Sequence, residues 1–360
     1  MKRIVVLLNL ALIVSCKNKP INDTVDIPEN KLSFSIKNEV LYKDIYSDKF
    51  DIIQLETSES CLIGEMPSLM VSGNKFFVSE TQNGLFTFNK DGKFDKKIGK
   101  IGVGPTEYTS FNDMDLDTES QHIMILDLHK IVYYDYNGEF IKSRNYDMPA
   151  FSFTKCKDGY WFYIGRNKSY SNYMLCKTDS ILMDKKSYLE QHSNLLPMIG
   201  KNWSKGYRTT FSENFMNRVY YINNQNLICS YEIDFGELNI PYEVYTVSAF
   251  ETLPILERKH YAMIEKYIDN GEYAFFLISE HKPSENVKFY HWIINKNTKQ
   301  EKLVALSNIS INSYLLNPQV LSKNNILYCL GYTNSNNEEF EYENKNPIVA
   351  SIDIESIFNK

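Results

Sequence analysis

Long apolar runs and clustered positive charges are both scarce in this 360-residue sequence. Beyond the N-terminal segment, no apolar run approaches the roughly 20 residues that a membrane-spanning helix needs. Lysine and arginine total 39 against 45 aspartate and glutamate, a net charge of −6, and the basic residues are dispersed. A nucleic-acid-binding surface needs clustered basic side chains. We therefore expect neither a membrane-embedded domain nor a nucleic-acid partner.

The usual signatures of metal sites and hydrolases are missing too. The six histidines form no His-x-His or His-Glu-x-x-His pair, and the sequence has no Cys-x-x-Cys and no Gly-x-Ser-x-Gly elbow. An acidic run at 113–117 begins like a calcium-binding loop, but Thr118 replaces the required glycine and Met124 the bidentate glutamate. The sequence therefore predicts no cofactor, metal ion or catalytic residue. A carboxylate pair assembled from distant segments stays open as an enzymatic alternative.

Cysteine gives little information about the redox state. After Cys16 an odd number remains, which leaves at least one thiol unpaired: Cys61, Cys156, Cys176, Cys229 and Cys329. Because most of them lie in apolar, strand-like contexts, we expect free buried thiols, although an exported compartment would permit a disulfide.

The N-terminus has the pattern of an export signal. Lys2 and Arg3 precede an apolar run at 4–14, which is too short to span a bilayer, and Ser15-Cys16 follows. Because 13–16 also resembles a bacterial lipobox, we predict a signal peptide at 1–15 and lipid attachment at Cys16. The alternative is an ordinary secretory signal with an incidental cysteine. A polar segment without periodicity predicts a flexible tether at 16–35, followed by a folded domain at 36–360.

A repeated pattern is present instead of the missing motifs. The segments 88–94 and 134–140 lie 46 residues apart, and each has an alternating strand, an Asp-Gly or Asn-Gly turn and a phenylalanine two residues later. Repetition of such hairpins predicts a β-propeller of four-stranded antiparallel blades. We expect the strand at 51–55 to complete the last blade beside 348–352, which closes the ring. Helical spacing of apolar residues predicts one inserted helix over 248–268.

Several segments resemble the six-bladed β-propeller lipoproteins of Bacteroidota, an NHL-like propeller family: 43–48, 55–57, 62–64, 218–221, 233–236 and 346–347. The glycine-rich stretch 98–108 is similar to the most recognisable part of that family, with Thr106 where glycine is more usual. The resemblance covers nearly the whole mature chain. It implies six blades, whereas the 46-residue spacing alone would allow about seven. It implies little about function.

Two loops supply the candidate binding residues. The loop at 201–208 is long and contains Trp203, Tyr207 and Arg208, residue types that are enriched at binding hot spots. The alternative interpretation is that the aromatic side chains of this loop form a plug that packs over their own blade. In the glycine-rich stretch, Glu107 and Tyr108 are weaker candidates, since the glycines also suit a structural connection between blades.

The leading hypothesis is a non-catalytic, lipid-anchored propeller of the cell envelope that binds a glycan, peptide or envelope protein on one face of the ring. We expect a monomer on the outer membrane, at its periplasmic face or at the cell surface, with the lipid as the sole membrane contact. One alternative is a propeller hydrolase or lyase that acts on glycans in its central funnel. A structural subunit of an outer-membrane assembly is a third possibility.

Overall fold

The computed structural model describes residues 24–41, 45–46, 49–64, 67–166, 168, 170–191, 202–306, 314–333 and 345–359. The predicted signal peptide, Cys16 and the tether residues up to 23 lie outside these ranges, as does Lys201 at the start of the candidate loop. Within the described residues, no helix is both long and apolar enough to cross a membrane.

Four short N-terminal strands precede the blades and attach to blades that come later in the chain. They are β1 (Thr24–Val25), β2 (Asn30–Ser33), β3 (Glu39–Leu41) and β4 (Asp51–Gln54). The sequence assigned 16–35 to a flexible tether, but its described part forms β1, β2 and a short link to β3. These strands supply backbone hydrogen-bonding partners to the outer edges of three later blades, which would otherwise be open.

The first three blades follow each other in the chain, and each is a four-stranded antiparallel meander. Blade 1 contains β5 (Ser68–Ser72), β6 (Lys75–Glu80), β7 (Gly84–Asn89) and β8 (Phe94–Ile98). Blade 2 contains β9 (Asp113–Asp117), β10 (His122–Leu126), β11 (Lys130–Asp135) and β12 (Phe140–Asn145). Blade 3 contains β13 (Ser152–Cys156), β14 (Gly159–Tyr163), β15 (Tyr173–Thr178) and β16 (Lys186–Glu190).

The last three blades incorporate the N-terminal strands. Blade 4 contains β17 (Trp203–Lys205), β18 (Thr209–Ser212), β19 (Arg218–Asn223) and β20 (Asn226–Asp234), with β1 and β2 parallel to β20. Blade 5 contains β21 (Tyr261–Asp269), β22 (Tyr273–His281), β23 (Lys288–Asn295) and β24 (Glu301–Ala305), with β3 parallel to β24. Blade 6 contains β25 (Tyr314–Leu321), β26 (Ile326–Thr333), β27 (Ile348–Asp353) and β4.

Ring closure occurs where it was predicted. Strand β4 pairs antiparallel with β27, with Ile52 opposite Ala350, so the N-terminal segment supplies the outer strand of blade 6. Gly92, in the predicted turn of blade 1, has φ of +83° and lies so close to β4 that a Cβ atom there would overlap the carbonyl oxygen of Gln54. The repeated glycine turn therefore also fits blade 1 against the closing strand. The prediction of six four-stranded blades is confirmed.

The prediction of one helix over 248–268 is wrong in its second half. Helix α1 spans Ala249–Leu256, and the chain then enters strand β21. The register of β21 shifts between Ile264 and Lys266, which marks a β-bulge. Because the bulge adds one residue, Ile264 and Tyr267 reach the same apolar cluster although they are three residues apart. A bulged strand thus imitates the spacing of a helix. Short 3-10 helices are found at Ile36–Asn38, Gly236–Leu238, Tyr242–Tyr245 and Ile354–Ile357.

Aromatic side chains fill the spaces between blades. Between blades 3 and 4 the ring centroids of Trp161 and Tyr188 lie 4.5 Å apart, and those of Trp203 and Phe211 lie 4.9 Å apart. Similar clusters lie between the other blades, so every blade contact has its own core. All five cysteines after Cys16 are free thiols, in agreement with the expectation, and four of them are buried.

The two faces of the ring carry different connections. Strand directions alternate within a blade, so the turns after the first and third strands lie on one face, here called the hairpin face. Connections after the second strand, and those between blades, lie on the opposite, crossover face. The first strand of each blade lines the axis: the backbone N–H of Phe153 in β13 donates to Asp113 of β9 at 3.0 Å, and that of Leu69 in β5 donates to Gln319 of β25 at 3.3 Å.

Candidate binding cavity on the hairpin face

A cavity of about 1000 Å³ opens on the hairpin face around the axis, and every blade contributes to its wall. We call it the axial mouth. Its lining consists of residues 69–71, 73, 90, 116–119, 155–157, 203–209, 266, 319–324, 326 and 328. These positions belong to the six innermost strands and the turns that follow them, to one outer turn of blade 1, and to the second strands of blades 4 and 6.

Positive charge dominates the axial mouth. Among its described lining residues, seven are cationic: Lys90, Lys155, Lys157, Lys205, Arg208, Lys266 and Lys323. Two are acidic, Asp117 and Glu119. The excess of five positive charges contrasts with the net charge of −6 on the whole chain. The ring therefore concentrates positive charge that the sequence disperses.

Two of these lysines are fixed by carboxylates of β9, the inner strand of blade 2. Lys205 Nζ lies 2.5 Å from a carboxylate oxygen of buried Asp115 and also donates to the backbone carbonyl of Leu116 at 3.1 Å. Lys155 forms an ion pair with Asp117. Burial alone would raise the pKa of Asp117, but hydrogen bonds from Lys155 and Ser120 outweigh it and lower the pKa to about 2. These pairs hold the wall of the mouth together.

Three further lysines are placed differently. Lys157 and Lys323 occupy the turns after β13 and β25 and are exposed, and none of the ion pairs formed within the described part of the chain includes either of them. Lys90 Nζ lies 4.3 Å from the ring centroid of Phe76 and 4.5 Å from that of Tyr328. Burial lowers its pKa below the usual value for lysine. All three point charge toward the mouth without a carboxylate partner among the described residues.

The candidate loop residues Tyr207 and Arg208 lie on the rim of the mouth. The N–H of Tyr207 donates to the carbonyl oxygen of Asp269 in blade 5 at 3.1 Å, and a Cβ atom on Gly206 would overlap that same oxygen. This close approach requires glycine and fixes the tip of the turn. Tyr207 remains 64% exposed. The Arg208 guanidinium stacks 4.0 Å above the Tyr221 ring and lies 3.7 Å from a carboxylate oxygen of Glu29, so both contacts hold the arginine in place.

Trp203 lies beneath the rim. Only 2% of it is exposed, and its ring packs on Phe211 and Trp161 in the core between blades 3 and 4. This position matches the alternative of a self-packed aromatic residue. Trp203 therefore supports the loop that carries Tyr207 and Arg208, and it offers little surface to a ligand.

Glu107 and Tyr108 do not join the other candidates. They belong to the connection between blades 1 and 2, which lies on the crossover face. Tyr108 is fully buried, and burial raises its pKa. The Glu107 carboxylate accepts the N–H of Gly104 at 2.9 Å and lies 3.5 Å from Lys100 Nζ. Both side chains thus stabilise their own glycine-rich loop, as the structural alternative for this stretch predicts.

A second cavity of about 920 Å³, here called the side cavity, lies beside blade 4. Its described lining includes three cationic residues, Lys31, Arg166 and Arg218, and four acidic ones, Asp26, Glu190, Glu232 and Asp234. Arg166 forms a bidentate ion pair with Glu213, at 2.7 and 2.9 Å, and both side chains are buried. Arg218 lies 2.5 Å from Glu232. The charges of the side cavity largely neutralise each other.

One serine–histidine–glutamate contact has the composition of a hydrolase site. Ser279 Oγ donates to Glu265 at 2.5 Å and lies 3.0 Å from His281 Nε2. In a catalytic triad, however, the histidine lies between the serine and the acid. Ser279 is also fully buried. Within the described residues, no group of three or more His, Cys, Asp or Glu side chains is arranged to hold a metal ion.

Sequence reasoning missed the lysines of the mouth because they are far apart in the chain. Lys157 and Lys323 are 166 positions apart by their numbers, yet both occupy the turn after a first strand. An alignment of the blade repeats would have placed these lysines at equivalent positions and so indicated that they lie on the same face. The signal was therefore present, but only after each blade had been aligned.

A closed ring of six antiparallel blades with an axial cavity defines a six-bladed β-propeller. The chain belongs to the family described as a domain of unknown function (DUF4934), whose model matches residues 23–356. No curated protein matches the chain.

A solved structure of a bacterial exported protein shares the fold. A putative exported protein from Bacteroides fragilis aligns with a TM-score of 0.71 at 18% identity, over 90% of this chain and 99% of that chain. The extracellular domain of a putative hybrid two-component system from B. thetaiotaomicron aligns with a TM-score of 0.40 at 10% identity, over 84% of this chain and 42% of that chain. At 18% identity, the similarity to the Bacteroides fragilis protein establishes fold alone.

Proposed function

We propose that this protein is a non-catalytic binding module of the bacterial cell envelope, which holds a glycan, peptide or protein partner in the axial mouth. One observation carries the proposal: all six blades converge on one open cavity with an exposed aromatic residue and several cationic side chains on a rigid wall. Binding sites typically combine concave shape, a fixed scaffold and a few placed polar groups. The mouth has all three.

The ionisation of Asp117 in the mouth supports binding over hydrolysis by this residue. A glycosidase needs one carboxyl group that is protonated near neutral pH and can act as a general acid. Asp117 is instead paired with Lys155, and its pKa of about 2 keeps it ionised. It serves better as a support for Lys155 than as a proton donor.

The proposal places the protein outside the cytoplasm, with lipid attached at Cys16. The signal-like N-terminus supports this location, and the similar protein from Bacteroides fragilis is described as a putative exported protein.

Labelling of cells with a clickable palmitate analogue tests the lipid anchor. The wild-type chain should take up label and sediment with membranes, and Cys16→Ser should do neither. An unlabelled wild-type chain would contradict the anchor.

The fold also relates the anchor to the hairpin face, on which the axial mouth opens. Thr24 pairs with Leu227 near the start of β20, just after the turn that joins β19 to β20, and this turn lies on the hairpin face. Seven residues separate Cys16 from Thr24, and a fully extended chain of that length reaches at most about 28 Å. A lipid on Cys16 would therefore hold the outer edge of blade 4, at the hairpin face, within about that distance of the bilayer.

A binding screen tests the proposed function. Protein lacking residues 1–16 is applied to glycan and peptide arrays beside two variants, Tyr207→Ala/Arg208→Ala and the control Tyr242→Ala. Tyr242 is a suitable control because it is a tyrosine of similar exposure, 79%, that lines the side cavity and not the mouth. We expect at least one ligand that the control retains and the mouth variant loses. Ligands that bind equally to both variants would remove the mouth from the account.

A further inference from the structure

We infer that the axial mouth selects an acidic glycan, a carbohydrate that carries several carboxylate or sulfate groups. This inference rests on the proposed function and specifies its ligand class. It comes from the distribution of charge between the two cavities and from the chemistry of the mouth's rim.

The excess charge of the mouth is local. The chain has a net charge of −6, and about −8 once Lys2 and Arg3 are removed with a signal peptide, so the protein as a whole repels polyanions. The mouth nevertheless has five more cationic than acidic residues in its described lining, and the excess is still three when Asp115 and Glu29, which pair with Lys205 and Arg208, are counted as well. A cavity lined by charge of one sign focuses the electric field and raises the local concentration of oppositely charged ligands. The field thus favours anions at this one place.

The cations come from different positions around the axis. Lys90, Lys157, Arg208 and Lys323 belong to blades 1, 3, 4 and 6. A ligand with a single anionic group engages only part of such a ring, whereas a chain with repeated anionic groups can meet several of its members at once. The arrangement therefore fits an oligomer with regularly spaced charges better than a single phosphate or carboxylate.

The remaining chemistry of the rim favours a sugar over an acidic peptide. Tyr207 presents an exposed ring on a turn that is fixed to blade 5, next to the stacked guanidinium of Arg208. Hydroxyl and amide side chains lie between the charges: Thr118, Ser204, Gln319, Ser322 and Asn324. Such groups donate to and accept from sugar hydroxyls, while a flat aromatic ring covers the apolar side of a sugar. At about 1000 Å³ the cavity is large enough for several sugar units.

A matched pair of probes tests the charge requirement. Dextran sulfate and dextran share one backbone, and oligogalacturonate and its methyl ester share another, so each pair differs only in anionic groups. We expect protein lacking residues 1–16 to bind at least one anionic probe in calorimetry and to bind its neutral partner at least about tenfold more weakly, because the attraction depends on charge. Binding should weaken as salt rises from 50 to 300 mM.

Two double variants that each remove two positive charges test whether the anionic probe binds at the mouth. Lys157→Gln/Lys323→Gln removes two charges from the mouth, and Lys31→Gln/Lys259→Gln removes two exposed charges elsewhere, one of them at the side cavity. We expect about a tenfold loss of affinity for the anionic probe in the first variant and less than about a twofold change in the second. Unfolding by urea confirms that both variants fold as the wild type does.

The outcomes separate this inference from the proposed function. Equal losses in both double variants, no binding of either anionic glycan, or binding of poly-glutamate in their place would overturn the acidic-glycan ligand. If the array screen still finds a neutral ligand that Tyr207→Ala/Arg208→Ala abolishes, the binding function stands and only its anionic character fails. If no ligand depends on either set of mouth residues, both fail.

Discussion

The axial mouth and the side cavity have similar volumes, about 1000 and 920 Å³, but use their charges in opposite ways. In the side cavity, Arg166 and Arg218 are each matched by a carboxylate, and the described lining carries one more acidic than cationic residue. In the mouth, the seven cationic lining residues still exceed by three the carboxylates that line it or pair with its cations, which are Asp117, Glu119, Asp115 and Glu29. Charges that satisfy each other hold a fold together, whereas charges left over are available to a ligand. The balance of charge distinguishes the two cavities better than their size.

Breaking the buried ion pair beside the side cavity should have the largest effect on stability. We expect Glu213→Leu to lower the free energy of unfolding by about 3–5 kcal/mol, because it leaves Arg166 buried without its carboxylate. The double variant Arg166→Met/Glu213→Leu should recover most of this loss. Urea unfolding measures both. A single variant that costs less than about 1 kcal/mol would show that the pair is not structural.

Gly206→Ala should have the next largest effect, this time at the mouth. Its Cβ atom would overlap the carbonyl oxygen of Asp269, so the turn must move, at a cost of about 1–3 kcal/mol. The movement should also displace Tyr207 and weaken ligand binding. Gly73→Ala is the control: it lies in the equivalent turn of blade 1 with open space around it, and its φ of +54° alone should cost about 1–2 kcal/mol. Unaltered binding by Gly206→Ala would mean that Tyr207 makes no contact with the ligand.

Acid and base should affect the two regions in opposite directions. The pKa of Asp117 in the mouth is lowered to about 2, so its contribution is present above pH 3.8 and is lost as the pH falls through about 2. Near the side cavity, burial raises the pKa of Glu265, which accepts a hydrogen bond from Asn214; its contribution is present below pH 4.5 and is lost as the pH rises through the raised value.

Urea unfolding between pH 3 and pH 8 measures this contrast. Asp117→Asn should cost up to about 2 kcal/mol at pH 7, with the difference from wild type shrinking toward pH 3. Glu265→Gln should gain stability relative to wild type as the pH rises, because glutamine reproduces the neutral acid at every pH. Parallel pH profiles for wild type and both variants would contradict these assignments.

The smallest expected effect concerns Lys90. Since burial lowers its pKa below the usual value for lysine, Lys90 loses its charge at a lower pH than a fully solvated lysine would. Affinity for an anionic probe should therefore fall about two- to fivefold between pH 7 and 9.5 in the wild type. Lys90→Arg should remove most of this fall, because arginine stays protonated in that range. An identical pH profile in the variant would place Lys90 outside the ligand contact.

The architecture could be predicted from the sequence because local signals repeat in every blade. The Asp-Gly turn at 91–92 and the Asn-Gly turn at 137–138 mark equivalent hairpins, and the alternating strand at 51–54 indicates how the ring closes. The helix over 248–268 was overextended because a β-bulge reproduced helical spacing. Prediction from the spacing of apolar residues fails where a β-bulge adds one residue and changes which side chains point to the core.

The site was only partly predictable. Tyr207 and Arg208 stood out as an aromatic and a cationic residue in a long loop, and they lie on the rim. The lysines of the mouth did not stand out, because each is an ordinary surface residue in its own blade and only ring closure assembles them. Glu107 was chosen for its neighbours in sequence, but the topology puts it on the opposite face. Which face a residue occupies depends on the order of strands, which no short motif contains.

Hydrogen exchange measured by mass spectrometry tests most directly whether the axial mouth is the ligand site. Protein lacking residues 1–16 is compared with and without dextran sulfate oligomers. We expect slower exchange in the turns of the mouth at 72–75, 117–121, 156–159 and 205–209, and unchanged exchange at 236–246 beside the side cavity. Protection at 236–246 with unprotected mouth turns would contradict it.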